Sequence, residues 1–230
     1  MPENQHHNVT FPSNGGEAHG HLALPPSGRG PGLIVIQEWW GLTSHIADMT
    51  DRFAAEGFVA LAPDLYGGST THDAEEATRL MQELPVERAV QDLEGAVGFL
   101  LGHEAVTGDK VGAVGFCMGG GFVMSLAAHA GPRLAAAVAF YGVLQEQPDF
   151  SGLSAQVQGH FGEHDDFVPR DRAEEIFASI AASTGQQPEI HFYPAGHAFM
   201  NDENLLGTYD EEQSRLAWQR TIDFLHAHLG

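Results

Sequence analysis

The chain has 230 residues, within the range of one α/β domain, and 43% hydrophobic residues with 14 Phe, 4 Tyr and 3 Trp can fill one core. Ten Lys and Arg against 31 Asp and Glu leave a formal charge of -21, which argues against a protein that grips nucleic acid by its phosphates or lies on an anionic membrane. The single cysteine, Cys117, rules out an internal disulfide, and a reducing compartment, the cytoplasm, is the simplest expectation.

Met1 to Ser13 lacks the basic start and apolar run of a signal peptide, and residues 1–7 read as a flexible terminus. No stretch approaches the roughly 18 apolar residues of a membrane span. Asn8 to Phe11 and Ala18 to Leu24 read as an antiparallel pair, followed by the turn-rich segment Pro25 to Gly32. From residue 33 onward, short apolar runs alternate with helix-period segments, the pattern of a mostly parallel sheet flanked by helices on both faces.

The expected strands are Leu33 to Ile36, Phe58 to Leu61, Val111 to Phe116, Ala135 to Tyr141, Val157 to Phe161 and Ile190 to Tyr193. The expected helices are Ile46 to Glu56, Ala74 to Leu84, Val86 to Leu101, Met118 to His129, Arg172 to Ala182 and Glu211 to Leu229. In the last of these, Leu216, Ile222 and Leu225 form an inward stripe, while Glu211, Glu212, Arg215 and Arg220 face water. A single domain, 1–230, without repeats or low-complexity tracts is the expected organisation.

The strand ending at Phe116 runs into Gly115-Phe116-Cys117-Met118-Gly119 and then into an apolar helix. This is the G-x-C-x-G form of a nucleophile elbow, where a sharp strand-to-helix turn exposes the central side chain and crowds the positions two residues either side. The helix N-terminus then favours a thiolate and offers a backbone N–H to an oxyanion. A lone cysteine is ordinarily a small buried hydrophobe, but this context favours the nucleophile. The glycines match neither the dinucleotide nor the phosphate-loop spacing.

A thiol nucleophile needs a base, and in this fold the chain order is nucleophile, acid, histidine. Gly162 to Pro169 follows a strand end and carries Asp165, with Asp166 beside it as the alternative acid. Pro194-Ala195-Gly196-His197-Ala198-Phe199 follows the last strand and carries His197. Three strand-end loops thus deliver Cys117, Asp165 and His197 to the sheet edge where α/β active sites form.

A fourth loop, Gln37-Glu38-Trp39-Trp40-Gly41, follows the first parallel strand. The backbone N–H of Trp39, with that of Met118, is the expected oxyanion hole. Glu38 is either a carboxylate that modulates the thiol or a surface residue capping a loop. Trp40, Tyr141 and Phe199 are candidate pocket walls, with core packing as the competing reading for the tryptophans. Histidine pairs such as His19 with His21 and His226 with His228 lack zinc-site spacing, so no metal is expected.

These residues together resemble the dienelactone hydrolase family of the α/β-hydrolase superfamily. The resemblance rests on Val35-Ile36-Gln37-Glu38, Pro63-Asp64-Leu65-Tyr66, Gly115 to Gly120, Gly162 to Pro169 and Ala195 to Phe199, and extends from residue 8 to the C-terminus. It implies a Cys117–His197–Asp165 triad, with Glu38 contacting the resting thiol. It also implies hydrolysis of a small-molecule ester or lactone through a thioester, without metal or organic cofactor, by a monomer or small homo-oligomer.

The family's two carboxylate-binding arginines fall at Ala74 and Asn201, and its aromatic pair at Thr78 and Met81. Arg79 is near in sequence but points elsewhere on its helix. Loss of a bidentate cation predicts a preference for neutral esters over the family's anionic dienelactone. The competing expectation is a non-catalytic binding protein of this fold, or a thiol redox sensor.

Overall fold

The computed structural model describes residues 4–230, with eight strands and six helices among them. They group into two compact units, one up to Ala113 and one from Val114.

In the first unit, β1 (Val9–Ser13) and β2 (Gly16–Ala23) form an antiparallel hairpin. Its two-residue turn is Asn14-Gly15, with φ of 48° and 73°, the left-handed pair that matches strand twist. Then come β3 (Gly30–Ile36), α1 (Ser44–Ala55), β4 (Val59–Pro63), α2 (Ala74–Glu83), α3 (Val86–Gly102) and the start of β5 (Val106–Phe116). The strand order is β1-β2-β4-β3-β5; β2 runs antiparallel to β4, and β3 parallel to it. β4 is buried at every residue, as expected where helices cover both faces.

In the segment expected as a flexible terminus, residues 1–3 lie outside the described residues and Asn4 to His7 form a hydrogen-bonded turn. The His7 N–H donates to the Asn4 carbonyl (3.0 Å). The Asn4 amide donates to the Leu42 carbonyl (3.0 Å), and the His7 ring meets buried Asp64 at 2.7 Å.

The second unit holds the end of β5, α4 (Met118–Ala130), β6 (Leu134–Phe140), β7 (Gln156–Gly162), α5 (Arg170–Thr184), β8 (Glu189–Tyr193) and α6 (Glu211–Leu229). Its strand order is β5-β6-β7-β8, with β6 and β8 each parallel to β7. This is the α/β-hydrolase architecture: a mostly parallel sheet with antiparallel strands at its N-terminal edge.

α6 buries Ser214, Ala217, Thr221, Ile222, Phe224 and Leu225. Leu216, expected on the inward stripe, is instead 40% exposed, because small residues occupy the face that meets β6 and β7. Arg220 is not simply solvated either: its guanidinium donates to the Tyr193 hydroxyl at 3.1 Å. No described helix is long and apolar enough to cross a membrane.

Candidate active site

β5 ends at Phe116 and α4 begins at Met118, leaving Cys117 alone between them with φ 54° and ψ -119°. Such a conformation in a residue with a Cβ costs about 1–3 kcal/mol and persists only where its surroundings enforce it. The enforcement is local. The Cys117 N–H donates to the Phe140 carbonyl at 3.0 Å, and the Cys117 carbonyl accepts from the Gly120 N–H at 2.9 Å. Gly115 is required because a Cβ there would collide with the Gly119 carbonyl, and Gly142 because a Cβ would collide with the Cys117 carbonyl. The thiol is half-buried at the head of α4.

The loops after β7 and β8 bring two further groups to this thiol. His197 Nε2 lies 3.2 Å from Cys117 Sγ, and His197 Nδ1 donates to Asp165 Oδ2 at 2.8 Å. The other carboxylate oxygen accepts the N–H groups of Phe167 (2.8 Å) and Val168 (2.9 Å), which fixes the plane of the acid. Asp165 is buried, whereas Asp166 is exposed, so Asp165 is the one that meets His197. Burial alone would push the His197 imidazole down. The hydrogen bonds and charges of Asp165 and Cys117 outweigh burial, and its pKa is raised to about 10. His197 is therefore held as an imidazolium at neutral pH, with one N–H toward the acid and the other toward sulfur.

Thr208 holds this histidine from the far side: its hydroxyl donates to the His197 carbonyl, and its side chain packs on Gly196. Tyr141 and Phe199, expected as pocket walls, are both completely buried. Tyr141 sits edge-on to the His197 ring (5.2 Å) and to Phe199 (5.5 Å), so the pair backs the imidazole from the core. Phe167, which the motif reading overlooked, packs its ring 4.8 Å from that of His197.

Below the site, fully buried His160 joins β7, β8 and α6. Gln158 Nε2 donates to Glu189 at 2.8 Å, so Gln158 Oε1 faces His160 Nε2, also at 2.8 Å, and that nitrogen must carry the proton. Thr221 gives its hydroxyl proton to the Ala217 carbonyl (2.9 Å) and accepts from the same Nε2 (3.1 Å). His160 Nδ1 then accepts the Tyr193 hydroxyl at 2.7 Å. Burial, followed by the His191 and Arg220 charges, pushes this imidazole well below its ordinary pKa and keeps it neutral.

The dienelactone hydrolase family model matches residues 18–229. The chain belongs to that family. It is 34% identical to "Protein usf" of Aquifex pyrophilus over 229 residues, covering 96% of this chain and 98% of that one. It is 31% identical over 230 residues to a protein of Aquifex aeolicus named "Putative carboxymethylenebutenolidase", with 96% and 98% covered. A crystal structure from Klebsiella pneumoniae described as "Putative Dienelactone Hydrolase" superposes with a TM-score of 0.85 at 31% identity, covering 95% of this chain and 96% of that one. This member of the dienelactone hydrolase family is thus a hydrolase of α/β-hydrolase fold.

The remaining expected site residues fall in the first unit, on the loop after β3. Glu38 is 1% exposed, which removes its reading as a surface cap. Trp39 is half-buried and Trp40 buried, their rings 4.7 Å apart. At the family's arginine positions, Ala74 opens α2, and Asn201 is buried and accepts the Glu203 N–H at 2.9 Å. Arg79 is tied along its own helix to Glu76 (2.6 Å) and Glu83 (2.5 Å). Among the described residues no group of three or more His, Cys, Asp or Glu is arranged to hold a metal ion.

Proposed function

We propose that the protein hydrolyses carboxylic esters or lactones with Cys117 as nucleophile, His197 as acid and base, and Asp165 as the group that orients His197. The observation that carries this reading is the continuous chain from Sγ through the imidazole to a buried carboxylate, with contacts of 3.2 Å and 2.8 Å. With His197 held as the imidazolium, Sγ adds to the substrate carbonyl carbon. As the tetrahedral adduct collapses, the C–O bond breaks and Nε2 gives its proton to the departing oxygen. Water then attacks the thioester, His197 takes its proton, and sulfur leaves as thiolate. In a lactone the departing oxygen stays attached, and the product is an open hydroxy acid.

The Met118 N–H, at the head of α4, is read as one oxyanion donor. The family resemblance supplies the second, the Trp39 N–H, and gives Glu38 its role toward the resting thiol. Ala74 and Asn201 at the arginine positions, with Arg79 committed to Glu76 and Glu83, favour neutral substrates over anionic ones. The test is turnover of p-nitrophenyl acetate by the wild type and by Cys117→Ala. A burst of nitrophenol followed by turnover in the wild type, both lost in the variant, is the expected result. Equal turnover in the two proteins would remove the cysteine mechanism.

A further inference from the structure

Phe167 is the most exposed large apolar side chain among the described residues, at 66%. Its backbone is nevertheless firmly held. Its own N–H and that of Val168 both donate to Asp165 Oδ1, Val168 is buried at 5% exposure, and Pro169 opens directly into α5. The ring is thus presented from a fixed turn against the His197 ring, 4.8 Å away and tilted by 47°. A rigidly mounted aromatic left largely uncovered beside an imidazole is an open apolar contact, since covering such a ring is where aromatic side chains gain most.

We propose that Phe167 is the wall on which the alcohol part of the substrate rests, and that the enzyme therefore favours esters of aromatic alcohols. The inference rests on the proposed ester hydrolysis and follows from which atom His197 must reach. When the adduct collapses, the acyl carbon stays on Sγ while the C–O electron pair and the Nε2 proton go to the alcohol oxygen. That oxygen lies on the imidazole side, and what it carries meets the ring packed on the imidazole. The acyl group, anchored to sulfur, does not need this wall.

The test uses the full chain, four neutral esters and rates from acid release at constant pH. Benzyl acetate against methyl acetate reads the alcohol side, and methyl phenylacetate against methyl acetate reads the acyl side. In Phe167→Ala the benzyl-over-methyl preference in kcat/KM drops about tenfold, the size of one aromatic contact, while the phenylacetyl-over-acetyl preference holds. Phe167→Leu, which keeps apolar bulk, falls between. A common loss on all esters would make Phe167 a shield for His197 and overturn the proposal; so would a drop confined to the acyl side, or no change in either preference. Should the wild type hydrolyse none of the four, the ester reading itself fails, and this proposal with it.

Discussion

Replacing Asp165 by Asn changes one atom type in the center of the constellation, and the structure dictates the consequence. The Asn carbonyl oxygen can keep the Phe167 and Val168 N–H bonds, because that is where two donors already converge. Its amide nitrogen then faces His197 Nδ1, which must become an acceptor, so the ring gives up its Nδ1 proton and keeps only the one on Nε2, opposite sulfur. His197 loses both its base function and its charge partner. The hydrogen bonds and charges of Asp165 and Cys117 raise this histidine from 6.5 to about 10 against the opposing effect of burial. Without the carboxylate, burial pushes the histidine back down.

The expected cost is on the order of 10³- to 10⁴-fold in kcat/KM for p-nitrophenyl acetate, the scale for neutralising a carboxylate that orients a catalytic histidine. The pH profile gives a second reading. A raised pKa means that the imidazolium is present below about pH 10 and lost above it, so the wild type keeps its rate well into the alkaline range, with a falling limb near 10. In Asp165→Asn that limb moves to lower pH. Asp166→Asn, an exposed change, shifts the rate by about twofold at most. If Asp166→Asn were the damaging variant, or Asp165→Asn stayed within about threefold of wild type, the assignment of the acid would be refuted.

Thr208→Val keeps the branched shape against Gly196 but removes the donor to the His197 carbonyl, and should lower kcat about tenfold with little change in KM. Thr208→Ser retains the hydroxyl and most of the rate, so equal damage by Ser would point to packing instead. Tyr193→Phe leaves His160 Nδ1 as a buried acceptor without its donor, a loss of about 1–3 kcal/mol in urea unfolding; an unchanged midpoint would remove the network from the account. Glu38→Ala should change the rate at which iodoacetamide alkylates Cys117 in the absence of substrate, and an unaltered rate would leave Glu38 as scaffold.

The elbow is legible in the sequence because its constraints are local: Gly115 and Gly119 stand two residues either side of Cys117, and a Cβ on Gly115 would collide with the Gly119 carbonyl within the same turn. His197 and Asp165 are legible because each directly follows an apolar run that becomes β8 or β7. The apolar criterion fails where a strand lacks an apolar half. β5 starts at Val106, not Val111, because Thr107 to Lys110 are exposed, and β6 ends at Phe140, leaving Tyr141 at φ 38° outside it. Helical periodicity likewise cannot tell which stripe of α6 meets the sheet when the chosen face is small, as with Ser214, Ala217 and Thr221.

The features that escape a linear reading share a cause. Thr208 reaches back across eleven positions to the His197 carbonyl, a separation fixed by the path of the loop and by no spacing rule. Phe167 is visible in Asp165-Asp166-Phe167-Val168-Pro169, but as an apolar residue in a loop it signals nothing until the two N–H bonds to Asp165 turn its ring onto His197. The bond-making residues are announced by strand ends, because chemistry needs a rigid mount. Selectivity and fine positioning come from neighbours that the loops recruit, and loops carry no period. In the proposed reading, Cys117, His197 and Asp165 carry the chemistry while Ala74, Asn201 and Phe167 set which ester is accepted, a division the four-ester comparison separates from the Asp165 test.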